Sequence, residues 1–267
     1  MTHWKSYHLL GESFADTGNA PASLLRWAVE RVVHGFIRHE DYSVAVAHAA
    51  TRPCAMQRAE RRMRLLMALD ANPVASLMRT AADIATFQRR WNGFNRMAPL
   101  GVTTQFVNDP EPGLRREARA AGLHDDMRGE IGALCIAHLA AARDDLHPPD
   151  DAVPRLYRLV GELAHTHTAL RDSIDTLCAN PLAELGDCAL ATGCARRTLQ
   201  RAFADAGLSF RLLRQAVRLS AAEQALREGG SSLTEIAHAS GFFDSAHFTH
   251  AWQQSCGLTP SQYRSLC

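Results

Sequence analysis

The sequence predicts a mainly α protein. It should end in a pair of helix-turn-helix units joined by a long helix, after a mostly helical N-terminal part with at most a few short strands. Three observations carry that expectation. Strand-like alternation is scarce, apolar residues recur at helical spacing through most of the chain, and one helical hairpin pattern occurs twice near the C-terminus. Hydrophobic residues make up 46% of the 267 and charged residues 21%, a balance that suits a packed globular chain rather than a disordered one.

Helical periodicity assigns Ser23–Arg38, Met56–Ala71, Val74–Phe94, Leu114–Gly122, Met127–Asp144 and Val153–Ala179 to helices. Only "DYSVAVAH", Asp41–His48, and "LGVTTQFVN", Leu100–Asn108, alternate as strands do. Breaks fall at Asn72-Pro73, across Asn108–Gly113 and across His147–Asp150, where proline, glycine and asparagine cluster. In the last N-terminal helix, Leu156, Val160, Leu163, His167, Leu170, Ile174 and Leu177 step by alternating fours and threes. That is an a/d seam. It can pair two chains through residues 153–179, with His167 lending pH sensitivity, or pack inside its own domain.

The repeat lies further on. "LGDCALATGCARRTLQRAF", Leu185–Phe203, is answered by "LTEIAHASGFFDSAHFTHAW", Leu233–Trp252. Leu185 matches Leu233, Cys188 matches Ile236, Ala189 matches Ala237 and Gly193 matches Gly241. After the glycine the second copy carries one extra residue, so Leu199 matches Phe248 and Phe203 matches Trp252. Each copy reads as a short helix, a left-handed glycine turn and a second amphipathic helix. Between them "SFRLLRQAVRLSAAEQALREGG" starts at a capping Ser209 and stops at Gly229-Gly230. Its apolar stripe is Leu212, Leu213, Ala216, Leu219, Ala222 and Leu226. Such a helix is a rod of roughly 30 Å, close to the roughly 34 Å of one duplex turn.

Leu185–Arg264 resembles the DNA-binding domain of the AraC/XylS family of bacterial transcription regulators. "RTLQRAF" and "GFFDSAHFTHAWQQSCGLTPSQYR" carry the resemblance, including Gly257, Thr259-Pro260 and Tyr263-Arg264. It implies two units reading successive major grooves on one face of promoter DNA, with RNA polymerase recruited or excluded. On that basis the chain divides into a sensing or interaction domain (1–150), a linker or dimerisation helix (151–180) and the DNA-binding domain (181–267). The resemblance places Arg197, Gln200 and Arg201 toward bases or nearby phosphates, with Arg196 beside them. The second unit offers Ser245, Ala246, Thr249, His250 and Gln253. Arginine suits guanine, glutamine suits adenine, and Ala or a Thr methyl can touch thymine. His247 is expected to pack against the fold, and His238 to face solvent or phosphate.

The second unit departs from the family at His250, where arginine is common, and at Gln253, where lysine or arginine is common. From Pro181 onward eight arginines face seven acids. Phosphate neutralisation supplies most non-specific affinity, so modest affinity is expected, dominated by the first unit. The second would add weaker contacts, or act beside polymerase or a second protomer. The chain's net charge of +1 lowers the expectation of nucleic-acid binding without deciding it, because binding depends on where charge sits.

Other functions leave weaker traces. Seven cysteines without a CxxC read as reduced thiols, and no signal peptide or membrane-length apolar run is evident, so a cytoplasmic protein is expected. No metal or other cofactor is expected. His165 and His167, two apart on a helix, diverge and cannot converge on a metal with Cys178. "LHDD", Leu123–Asp126, with His34, His138 and Asp144, is the trace of a metal-dependent phosphohydrolase; Asp125 and Asp126 more simply favour a helix N-terminus. The basic run Arg58, Arg61, Arg62 and Arg64 reads as an auxiliary anion contact or as one charged helix face. A protein-interaction adaptor is a third function class. The effector, small molecule or protein, leaves no motif.

Overall fold

The structure, a computed structural model, describes residues 4–15, 24–108, 111–119, 126–144, 154–164 and 168–267. In chain order the N-terminal part runs β1 (Lys5–Tyr7), α1 (His8–Ser13), α2 (Leu24–Val33), β2 (Phe36–Arg38), α3 (His39–Ala50), α4 (Ala55–Ala68), α5 (Pro73–Arg79), α6 (Ile84–Met97), β3 (Val102–Val107), β4 (Gly113–Ala118) and α7 (Asp126–Asp144). There follow α8 (Arg155–Leu163), α9 (Thr168–Ala179), α10 (Leu185–Ala191), α11 (Arg196–Asp205), α12 (Phe210–Glu228), α13 (Leu233–Ala239), α14 (Ser245–Cys256) and α15 (Pro260–Arg264). The fold is mainly α, as expected. Its two small antiparallel sheets pair β1 with β2 and β3 with β4.

Four segments differ from the sequence expectation, each for a local reason. Asp41–His48 is not a strand: it lies in α3, which buries Tyr42, Val46 and Ala49 at helical spacing and leaves Val44 69% exposed. Acidic Glu40 and Asp41 sit in its first turn, where the helix dipole favours them. The described part of Leu114–Gly122, up to Arg119, is not a helix, because Gly113–Ala118 pairs residue for residue with Val102–Val107. Helix-forming Leu114, Arg115 and Glu117 are overruled by that partner strand. Ser23–Arg38 ends as a helix at Val33, and Phe36–Arg38 turns back to pair with β1. Val74–Phe94 breaks between Thr80 and Asp83, whose carboxylate accepts from Thr86 N at 2.6 Å and starts α6.

The long helix expected over Val153–Ala179 is also two helices, with Ala164 closing α8. His165 and His167 lie outside the described residues. Leu156, Val160, Leu170, Ile174 and Leu177 are all buried within their own chain. Their helices pack on α2, on α12 and on each other, and α9 also meets α10 and α11. Among the described residues this stripe is spent on packing inside the chain, the second of the two expected arrangements.

Helix α12 is the spine of the C-terminal part. Ser209 caps it by accepting from Leu212 N, and Gly229, at φ 72°, ends it. Leu213, Ala216, Leu219, Ala222 and Leu226 are buried as expected, with Leu212 at the margin. Helices α2, α8, α9, α13, α14 and α15 all pack against it. At its middle, the buried Glu223 carboxylate accepts from Ser76 Oγ at 2.8 Å and from Tyr263 Oη at 3.4 Å. Tyr263 Oη also lies 3.0 Å from the Pro73 carbonyl oxygen. Arg90 donates to the carbonyls of Leu266 and Cys267. These bonds tie the back of the C-terminal units to α5 and α6.

The basic run on α4 proves to be one charged face. Arg58, Arg61 and Arg64 are exposed, Arg64 pairs with Glu60, and Arg62 turns inward to donate to the Glu12 carbonyl. All seven cysteines carry free thiols, with Cys135, Cys188 and Cys256 buried. Among the described residues no cluster of His, Cys, Asp and Glu could hold a metal, and no helix is long and apolar enough to cross a membrane. His124 and Asp125 lie outside the described residues.

Candidate nucleic-acid interface

The two units repeat one geometry. After α10, Gly193 adopts φ 64°, and Cys194 N donates back to Ala189 O at 3.0 Å. After α13, Gly241 adopts φ 82°, and Phe242 N donates to Ala237 O at 2.8 Å. Both are six-to-one helix closures around a left-handed glycine, the conformation that residues bearing a Cβ avoid. The first helices are also started alike. Asp187 accepts from the Glu184 N–H, and Glu235 accepts from Ser232 N at 2.7 Å. That backbone bond, with the Ser232 side chain, holds the Glu235 carboxyl below its usual range. One asymmetry follows the extra residue of the second copy. Asp244 caps α14 by accepting from His247 N, whereas Ala195 stands before α11 without a side-chain cap.

The inner faces match the sequence reading. Cys188, Ala189, Leu199 and Phe203 are buried in the first unit, and Ile236, Ala237, Phe248 and Trp252 in the second. Phe248 and Trp252 meet edge to face at 5.6 Å, and Trp252 meets Tyr263 at 5.0 Å. Aromatic packing of this kind leaves α14 little freedom to rotate and fixes which residues look outward.

The residues that the sequence singled out face outward. Arg196, Arg197, Gln200 and Arg201 are exposed on α11; Ser245, Ala246, His250 and Gln253 are exposed on α14, with Thr249 half-buried between them. Among the described residues the N-terminal part covers neither face. Among the described residues none of the three α11 arginines pairs with an acid. Three of the four arginines of α12 differ: Arg214 pairs with Glu184, Arg218 donates to the Pro181 carbonyl, and Arg227 lies 3.7 Å from Glu223. The guanidinium of Arg196 lies over Gly186, where a Cβ would strike it, so this arginine is held back against α10. Arg197 and Arg201 carry the remaining positive charge of the α11 face.

On α14, His250 Nε2 lies 2.9 Å from Gln254 Nε2, a hydrogen bond between two exposed side chains. His247 is exposed, not packed away as expected, and its ring lies edge-on to Phe242 at 5.4 Å. His238 is exposed. Two outward residues escaped the sequence reading: Leu190, 84% exposed at the end of α10, and Phe243, 83% exposed in the turn before α14. Phe243 sits within the stretch that makes the second copy one residue longer, and that length difference was the available signal.

Comparison with known proteins agrees with this geometry. Residues 188–265 match the family model described as a helix-turn-helix domain. Over 132 residues the chain is 29% identical to the transcriptional activator NphR of a Rhodococcus species, covering 49% of this chain and 35% of that one. The chain therefore spans about a third of the length of that relative. Among solved structures it is similar to ToxT of Vibrio cholerae at 15% identity, covering 60% of each chain with a TM-score of 0.33. It is also similar to the transcriptional regulator CdpR of Pseudomonas aeruginosa at 14% identity, covering 97% of each with a TM-score of 0.35. At scores this low neither likeness carries a conclusion.

Proposed function

We propose that the chain, which carries a helix-turn-helix domain over residues 188–265, is an AraC-type DNA-binding transcription regulator that acts at promoters by docking both units on one face of the duplex. The observation that carries this reading is the pair of matched units on α12, each burying one side of its second helix and leaving the other uncovered. Arg197, Gln200 and Arg201 are the main readers, and Thr249 and His250 are secondary ones. Arg196, Ser245, Ala246 and Gln253 border them. Arginines without acid partners have no ion pair to break before they meet phosphate, and they can grip guanine with both nitrogens. The second unit carries no arginine on its outer face, so it supplies shape and weaker contacts.

The work done is positioning, with no chemistry on a substrate. The protein acts in the cytoplasm, holds or excludes RNA polymerase beside its operator, and answers through residues 1–150 to a small-molecule or protein effector. Activation is the expected sign, as for the named relative. Protection footprinting on the DNA upstream of the chain's own coding region tests the reading. Two protected patches about one helical turn apart, roughly 10 base pairs, are expected. Uniform, sequence-independent protection that vanishes at moderate salt would reduce the interface to a non-specific one.

A further inference from the structure

The turn of the second unit shows solvent a large apolar side chain. Phe243 is 83% exposed. The two turns align residue by residue. Cys194 and Phe242 each close the preceding helix by donating to an alanine carbonyl five residues back. Ala195 and Asp244 each stand at the N-cap of the helix that follows. Phe243 is therefore the residue of the second turn that has no counterpart in the first.

Single exposed apolar side chains are common on protein surfaces. This one differs in how its backbone is held. Phe242 beside it is buried, its ring 5.1 Å from Phe248 and edge-on to His247. Phe243 N donates to His247 Nδ1 at 3.4 Å, and Asp244 Oδ1 accepts from His247 N at 2.7 Å. Three consecutive residues are thus tied to the first turns of α14. An exposed ring on so fixed a backbone loses little freedom when something covers it.

Phe243 directly precedes the N-terminal end of α14, the end that a helix-turn-helix presents to base edges. Ser245 and Ala246 are exposed in the first turn, and Thr249 is half-buried one turn on. None of these side chains is charged, and the Asp244 carboxylate is engaged as the cap. Phosphate gains little from such a surface. The major groove offers an apolar group in the C5 methyl of thymine, and alanine, the threonine methyl and phenylalanine are side chains that meet it.

We propose that Phe243 is a specificity-determining residue of the second unit, its ring covering the C5 methyl of a thymine at the edge of the bases that α14 meets. The proposal rests on the DNA-docking function above. It gives the arginine-free unit a sequence preference that does not depend on charge. An apolar contact releases no counterions, so this preference persists as salt rises. The first unit has no equivalent ring, so the two units read unlike half-sites.

Footprint titrations with the full chain test this on one upstream fragment prepared twice, once with thymidine and once with deoxyuridine, which lacks only that methyl. The unaltered chain should bind the thymine fragment more tightly. In Phe243→Ala the preference should shrink by about fourfold, the worth of one buried methyl, with the salt dependence and melting temperature kept. Phe243→Leu retains an apolar side chain and should retain most of the preference. Single thymine-to-uracil changes across the protected patches should trace the effect to one position. Equal weakening of both fragments by Phe243→Ala, as a ring wedged between bases would give, overturns the proposal. So does no change on either, as a ring reserved for a protein partner would give. Failure of the unaltered chain to protect the thymine fragment sinks the regulator and this contact together. Protection with an undiminished thymine preference in Phe243→Ala sinks the contact alone.

Discussion

The side-chain amide of Asn72 donates to the main-chain carbonyl of Ser255, 2.9 Å away and 183 residues later in the chain. The same nitrogen reaches the Arg31 carbonyl at 2.8 Å, while Asn72 Oδ1 accepts from Val74 N and caps α5. Ser255 in turn donates to the Val32 carbonyl. Both side chains are fully buried. One polar node therefore fastens the back of the second DNA-docking helix to α2 and α5 while its front stays open.

Replacing Asn72 by alanine removes a helix cap and strands two buried carbonyls. The expected loss is about 2–4 kcal/mol of unfolding free energy, read from urea denaturation. A loss below about 1 kcal/mol would show that water takes over these bonds. DNA affinity of the folded fraction should change little, since the node lies behind the docking face.

The two turn glycines should respond unequally to alanine. Gly193 has open space around its Cβ position, so Gly193→Ala costs only the left-handed backbone, about 1–2 kcal/mol. At Gly241 the added carbon would also lie 2.8 Å from Arg218 Nε and 3.0 Å from the Pro181 carbonyl. Gly241→Ala should lower the thermal midpoint further than Gly193→Ala. The reverse order would contradict the packing around α13.

Arg201→Ala should weaken operator binding by about 1–3 kcal/mol, and if the lost contact is to phosphate the salt dependence should fall by about one unit of slope. Gln253→Ala should cost less. Mobility shifts across a salt series separate the two. Full affinity in Arg201→Ala would take this residue out of the interface.

Stability should depend on pH through a buried pair. His8 Nε2 lies 3.5 Å from Asp70 Oδ2, and Nδ1 lies 3.6 Å from Glu12 Oε2. Burial pushes the His8 imidazole down, but Asp70 and Glu12 outweigh it and leave it above 6.5. Burial likewise pushes the Asp70 carboxyl up, and the facing His8 outweighs it, leaving it below 3.8. The His8 contribution is therefore present below pH 6.5 and fades as pH rises through the higher folded value. The Asp70 contribution is present above 3.8 and fades as pH falls through the lower folded value. Thermal melts should show a plateau between these limits, and His8→Gln should flatten its alkaline side. An alkaline slope unchanged in His8→Gln would assign the dependence to other groups.

The sequence by itself determined the C-terminal third. The Ser209 cap, the glycines at 193 and 241, and the spacing of Leu199 with Phe203 and Phe248 with Trp252 are signals within one or two turns of helix. A helix that buries one stripe must show the other, so Arg197, Gln200 and Arg201 could be placed outside before any coordinates. The N-terminal part depended on partners far away in the chain. Asp41–His48 alternates like a strand yet coils to bury Tyr42 and Val46. Leu114–Ala118 carries helix formers yet pairs with Val102–Val107, and the stripe from Leu156 to Leu177 breaks at Ala164 and turns inward. Only the tertiary structure decided these. Local periodicity records which face of a segment is apolar, but which surface covers that face depends on residues brought together only when the chain folds.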